Sequence, residues 1–192
     1  MRVSDRAKRT IGGRPPGGSA HDRACLYIRD RAKQFIETVH PLEGGYELGA
    51  VELERPFCHE DRIAGYIDLA ITASIDPPIP PWWRNEWGKP PRTIHVFFIE
   101  VKPMRQSIGE TLRQFKHYQH LYELKLSELT LNDHSELLLA NGPEIAHWVL
   151  ATIYRPSVAE LAIYQESGIL VRTLDAERIN SYTGTTLAKE MR

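Results

Sequence analysis

The sequence predicts an α/β fold, a mixed β-sheet flanked by helices. Three observations point there. Apolar residues first recur at helical spacing, then line three strand-like runs, then return to helical spacing before a further strand. The order is α-β-β-β-α-β, with shorter elements after it. Such segments bury their apolar faces by stacking helices on a sheet. With 42% hydrophobic and 26% charged residues in 192, the chain has the material for one domain with a proper core.

Residues 1–18 read as a basic, flexible tail, with Gly12-Gly13 and Pro15-Pro16-Gly17-Gly18. Nine Lys or Arg fall in residues 1–33 against Asp5, Asp22 and Asp30, although the chain as a whole has a net charge of -1. This arm suits contact with phosphates, and equally a solvated terminus. The domain proper is residues 19–192. Its first helix runs from Ser19 to Val39 on the stripe Ala24, Ile28, Ala32, Phe35, Ile36 and Val39. Ser19 or Asp22 is the cap, and Gly44-Gly45 lies beyond the end.

Tyr46–Phe57, Ile63–Ile75 and Thr93–Val101 follow as strands, the last apolar on both faces as a central strand should be. Residues 76–92, between the second and third strands, hold six prolines with Trp82, Trp83 and Trp87. Proline at that density forbids ladder pairing, so this segment is an insertion outside the sheet. Ser107 opens the next helix, with Glu110 completing a capping box. Ile108, Leu112, Phe115, Tyr122 and Leu126 form its buried stripe. A strand follows at Ile145–Tyr154, then a hairpin of Leu161–Gln165 with Ile169–Leu174 around Glu166-Ser167-Gly168, and a last helix from Asp175.

Charged residues stand where apolar ones are expected. Gly65-Tyr66-Ile67-Asp68 lies within the second strand, and Phe98-Ile99-Glu100-Val101-Lys102 ends the third. Gln114 and Tyr118 share one face of the following helix at i, i+4. Strand alternation puts Glu100 and Lys102 together and turns Val101 into the opposite layer. Buried carboxylates are costly unless they meet a cation or a proton. Asp68, Glu100 and the Val101 carbonyl suit a hard divalent ion such as Mg²⁺ or Mn²⁺. Lys102 is placed to orient a water or to balance transition-state charge.

These three pieces, in order and on these elements, resemble the PD-(D/E)XK nuclease superfamily, in its RecB-like motif arrangement. The resemblance covers roughly residues 19–154. It implies a restriction-endonuclease-like αβββαβ core and divalent-metal-dependent hydrolysis of DNA, in recombination, repair or phage DNA processing. It makes Asp68, Glu100, Lys102, Gln114 and Tyr118 the catalytic set, with Asp68, Glu100 and Val101 on the metal. The family adds an acidic residue from its first helix. Asp22 in Gly18-Ser19-Ala20-His21-Asp22 is the best match, with His21 the alternative and Glu37 and Glu54 as competitors.

Arg113, Lys116, Trp82 and Trp83 are candidate DNA contacts, and the Trp-rich insertion equally suits a protein partner. Two other readings keep the fold: a non-catalytic DNA-binding or scaffold module, and an RNA nuclease. Cys25 and Cys58 make neither a disulfide framework nor the four-cysteine iron–sulfur site of CRISPR-associated relatives. His117 and His120 lack a third ligand, and His59-Glu60-Asp61 reads as a polar turn. The chain shows no membrane span and no signal peptide, so a soluble, cytoplasmic protein is expected.

Overall fold

The computed structural model describes residues 19–40, 45–59, 62–76, 92–131 and 144–183. The basic tail, most of the Pro/Trp insertion with Trp82, Trp83 and Trp87, and the Glu60-Asp61 turn lie outside these residues. The sheet has five strands in the order β1 (Glu47–His59), β2 (Arg62–Ile75), β3 (Thr93–Lys102), β4 (Glu144–Thr152) and β5 (Ile169–Thr173). β1, β2 and β3 pair antiparallel, while β3, β4 and β5 run parallel. It is a mixed sheet flanked by helices, as the sequence predicts. Among the described residues no helix is long and apolar enough to cross a membrane.

The first helix is two. α1 (Ala20–Asp30) and α2 (Ala32–Val39) are separated by Arg31, whose φ of -126° and ψ of 30° are not helical. Its guanidinium lies over the rings of Tyr27 and Tyr182, 4.5 and 5.3 Å from their centroids. The stripe Ala24, Ile28, Ala32 and Phe35 runs through the break in phase, so periodicity cannot reveal it. The α1 capping box is formed: Ser19 Oγ accepts from the Asp22 N–H, and Asp22 accepts from the Ser19 N–H.

The expected hairpin over 161–174 is a helix and a strand instead. α4 (Val158–Glu166) follows α3 (Ile108–Leu131) in chain order and leads to β5, which lies parallel to β4. A parallel pair needs a crossover, which α4 provides. Ser157 and Glu160 form its capping box, and Gly168 leaves it at φ 71° in the left-handed region. The final helix, α5 (Ala176–Ser181), starts where the sequence places it, with Asp175 as its N-cap.

Two cores sandwich the sheet. Ala24, Ile28, Phe35 and Ile36 of α1 and α2, with Ile179 of α5, cover Leu69, Ile71, Phe97, Ile99, Val101 and Val149. Phe115, Tyr118, Leu121 and Tyr122 of α3, with Tyr164 of α4, cover Ile67, Ala70, Val96, Phe98, Trp148 and Leu150. Each fully buried Leu, Ile, Val or Phe among them contributes about 1.5–3 kcal/mol. Within the β1–β2 hairpin the faces exchange. Leu53 and Leu69 belong to the first core, whereas Phe57 and Ile67 belong to the second. The exchange falls at Glu54 and Asp68, which lie between the pairs Leu53–Leu69 and Arg55–Ile67 and are not themselves paired in the ladder. There β2 also leaves β3, because their register ends at Leu69–Ile99.

At the other end of the sheet β2 closes on Ile75–Thr93. Arg92 donates to Asp76 at 2.6 Å and to Glu47 at 2.5 Å, tying the base of the Pro/Trp insertion to β1. Three imidazoles cluster at that end too. His95 Nδ1 lies 2.8 Å from His147 Nε2, and the His40 ring lies 4.6 Å from that of His147. Burial first, then the neighbouring imidazoles, push His147 down to about 4 and His95 below its usual value.

Candidate active site

The site forms where β2 departs from β3. Val101 would continue the ladder opposite Ile67, but its N–H donates instead to Asp68 Oδ2 at 2.7 Å. A strand residue points its N–H and C=O toward the same neighbour. The Val101 carbonyl therefore faces the gap that Asp68 occupies. Val101's side chain packs in the α1–α2 core, while Glu100 and Lys102 stand on the α3 face, as alternation requires.

Glu100 is 4% exposed. Its Oε1 accepts from Lys102 Nζ at 2.8 Å and from Gln114 Nε2 at 2.7 Å. Gln114 Nε2 also donates to the Tyr118 hydroxyl at 2.9 Å, and that hydroxyl donates to the Tyr66 carbonyl at 2.6 Å. The chain from Glu100 through Gln114 and Tyr118 fixes both carboxylate-bearing strands against α3. Gly65 belongs to it as well, since a Cβ there would lie 3.1 Å from Tyr118 Cε1. The Gly and the Tyr are two halves of one contact.

Glu100 Oε2 is buried and has no hydrogen-bond partner. Burial first, and then the charge of Asp68, push the Glu100 carboxyl from 4.5 up to about 7, against the pull of Lys102 and Gln114. Two carboxylates at low dielectric, one with an orphaned oxygen, are short of positive charge.

The first-helix residues divide the expected role. His21 Nε2 lies 3.1 Å from Asp68 Oδ2, and Asp22 Oδ1 lies 3.5 Å from His21 Nδ1. The hydrogen bond to Asp68 raises the His21 pKa above its usual value although burial opposes it. Asp22, expected as the ligand, is 4% exposed and spends its other oxygen on the Ser19 N–H. It steadies His21, and His21 is the residue that meets Asp68. The helix phase carries the signal for this: His21 precedes Cys25 and Ile28 on the buried stripe by four and seven positions.

Arg113 and Lys116 are exposed on α3, on a different face from Gln114, and do not join the carboxylates. His117 and His120 are exposed on the same helix. Glu37 is exposed on α2, where its Oε1 lies 3.5 Å from the Tyr46 hydroxyl. Among the described residues no three His, Cys, Asp or Glu side chains are gathered as a ready-made metal cluster. The donors present are two carboxylates and the gap-facing Val101 carbonyl. That set matches Mg²⁺ and Mn²⁺, which keep several waters and use one or two carboxylates. Zinc, whose sites are built mainly from Cys and His ligands, matches this carboxylate and carbonyl set less well.

Comparison with protein-family models, with curated proteins and with solved structures returned no match.

Proposed function

We propose that the chain is a divalent-metal-dependent nuclease with a restriction-endonuclease-like core, hydrolysing DNA phosphodiester bonds. One observation supports this above the rest: the buried Glu100 oxygen without a partner, beside Asp68 and Lys102 at the mouth of a split sheet. A structural ion pair needs no second carboxylate and leaves no oxygen unsatisfied. Asp68, Glu100 and the Val101 carbonyl would hold the cation. When bound, it polarises a phosphoryl oxygen and makes a coordinated water more acidic.

The chain's own groups do the positioning. Lys102, 12% exposed, holds a positive charge beside the place where transition-state charge develops. Gln114 fixes the Glu100 carboxylate, and Tyr118 fixes Gln114 and the β2 backbone. His21 holds Asp68 from the opposite layer. Arg113 and Lys116 offer phosphate contacts on the exposed side of α3.

The test uses full-length protein with labelled linear, circular and single-stranded DNA and a matching RNA, in Mg²⁺, Mn²⁺ or EDTA. Metal-dependent DNA products are expected. Asp68→Ala, Glu100→Ala and Lys102→Ala should each lower cleavage at least about 100-fold, and the triple variant little further, because the three act as one unit. Undiminished cleavage by Glu100→Ala, or DNA binding with no product under any metal, overturns the reading.

A further inference from the structure

Arg31, at the break between α1 and α2, lines an open pocket of about 340 Å³. Tyr27, Arg178, Ser181, Tyr182 and Thr183 complete the wall, and no acidic residue is part of it. The volume is that of a small-ligand site, roughly 300–1,000 Å³. Among the described residues Arg31 pairs with no carboxylate, although Asp30 precedes it. Asp30 is already engaged: its Oδ1 accepts from Arg29 Nε at 2.7 Å, and its Oδ2 accepts from the Tyr182 hydroxyl. The Arg31 guanidinium lies instead over Tyr27 and Tyr182, whose rings meet edge to face with centroids 5.5 Å apart. A guanidinium held over aromatic rings loses less freedom when its N–H fork binds an oxyanion.

Arg178 brings a second guanidinium from α5. Its Nε lies 3.5 Å from Asp175 Oδ2, an exposed pair worth little, and Asp175 spends Oδ1 on the first N–H groups of α5. Ser181 donates its proton to the carbonyls of Glu177 and Arg178, so the two arginines carry the recognition. We propose that this pocket binds a phosphate group, held between the Arg31 and Arg178 guanidiniums. Two such forks match a tetrahedral oxyanion, each able to make paired, charge-assisted hydrogen bonds. The site is separate from the carboxylates. α1 carries His21 near its start and delivers Arg31 beyond its end, about 15 Å further along its axis. No cation is needed, and the site stands or falls apart from the nuclease reading. The same chemistry serves a phosphate of a nucleic-acid strand and a free phosphate ion.

Isotope-labelled full-length protein is titrated with inorganic phosphate in EDTA and followed by NMR, with chloride holding the ionic strength constant. Saturable shifts are expected at Tyr27, Arg31, Arg178 and Tyr182, and not at Glu100 or Gln114. Arg31→Lys keeps the charge and loses the fork, while Arg178→Gln removes a charge from an exposed helix surface. Each should weaken phosphate binding by about tenfold. A second arm measures binding of a short DNA strand and of its duplex in EDTA. If the phosphate belongs to a strand, Arg178→Gln weakens DNA binding and lowers its salt slope by about one. If DNA binding ignores Arg178→Gln while inorganic phosphate still needs it, the pocket takes the free ion. Shifts that chloride alone reproduces, or undiminished phosphate binding in Arg178→Gln, overturn the site, whether or not Arg31→Lys folds.

Discussion

The carboxyl of Glu100 meets two demands that conflict. One oxygen is held by Lys102 and Gln114, and the other is buried with no partner. Its carboxyl is raised from 4.5 to about 7, so the folded chain keeps a proton that the unfolded chain releases in that window. Stability therefore falls as pH rises through it, by on the order of 3 kcal/mol. Glu100→Gln should melt higher than the parent at about pH 8 in EDTA, and the gap should close near pH 5, where the parent carboxyl is neutral. Equal melting at both pH values would mean that the charge is not strained. Glu100, Lys102, Gln114 and Tyr118 were legible in the sequence because two simple periods, of strand and helix, place them. His21 and Asp22 were harder to separate. They are adjacent, only one of them meets Asp68, and the chemistry of an acidic ligand favours the other.

At the level of elements, α3 depends on a missing side chain elsewhere. The Tyr118 ring lies against Gly65, and its hydroxyl holds the Tyr66 carbonyl. Gly65→Ala puts a methyl 3.1 Å from Tyr118 Cε1, so the ring must shift and draw Gln114 with it. We expect about 1 kcal/mol of destabilisation and a kcat loss larger than any change in DNA affinity, measured by single-turnover kinetics and equilibrium binding. Unaltered kcat would detach Tyr118 from the chemistry. α4 shows why other elements were illegible. Val158, Leu161 and Ile163 are exposed and only Tyr164 is buried, so no apolar stripe marks a helix. The remaining signal was Ser157 with Glu160, the same capping pattern that Ser107 and Glu110 offer. The short apolar run Leu161-Ala162-Ile163-Tyr164 beside Gly168 reads instead as one arm of a hairpin.

For the whole molecule, the two ends of the sheet titrate in opposite senses. His95 and His147 are held below 6.5, so the unfolded chain takes up protons that the folded chain refuses between about 4 and 6.5. Their effect lowers stability as pH falls. Glu100 lowers it as pH rises toward 7, and the His21–Asp68 pair contributes fully below 6.5 and is lost as pH rises through the raised His21 value. Above about pH 6.5 only the second set remains. A cation at Asp68 and Glu100 competes with the Glu100 proton and should cancel the Glu100 part of that loss. Melting temperatures from about pH 6.5 to 8.5 should fall in EDTA and fall less steeply in excess Mg²⁺, which offsets the Glu100 part and leaves the His21 part. Parallel curves with and without Mg²⁺ would remove the link between the ion and Glu100.

The exchange of faces in the β1–β2 hairpin has a further consequence, for cooperativity. Leu53 and Leu69 are committed to one core, while Phe57 and Ile67, a few residues away on the same two strands, are committed to the other. A sheet whose strands kept their faces could shed one helical layer and leave the opposite layer largely in place. Here loosening either layer pulls on strands that the other still grips, and the pull passes through Glu54 and Asp68. The hairpin fastens two separately packed layers into one melting unit, with the Asp68 carboxylate of the candidate centre at the fastening.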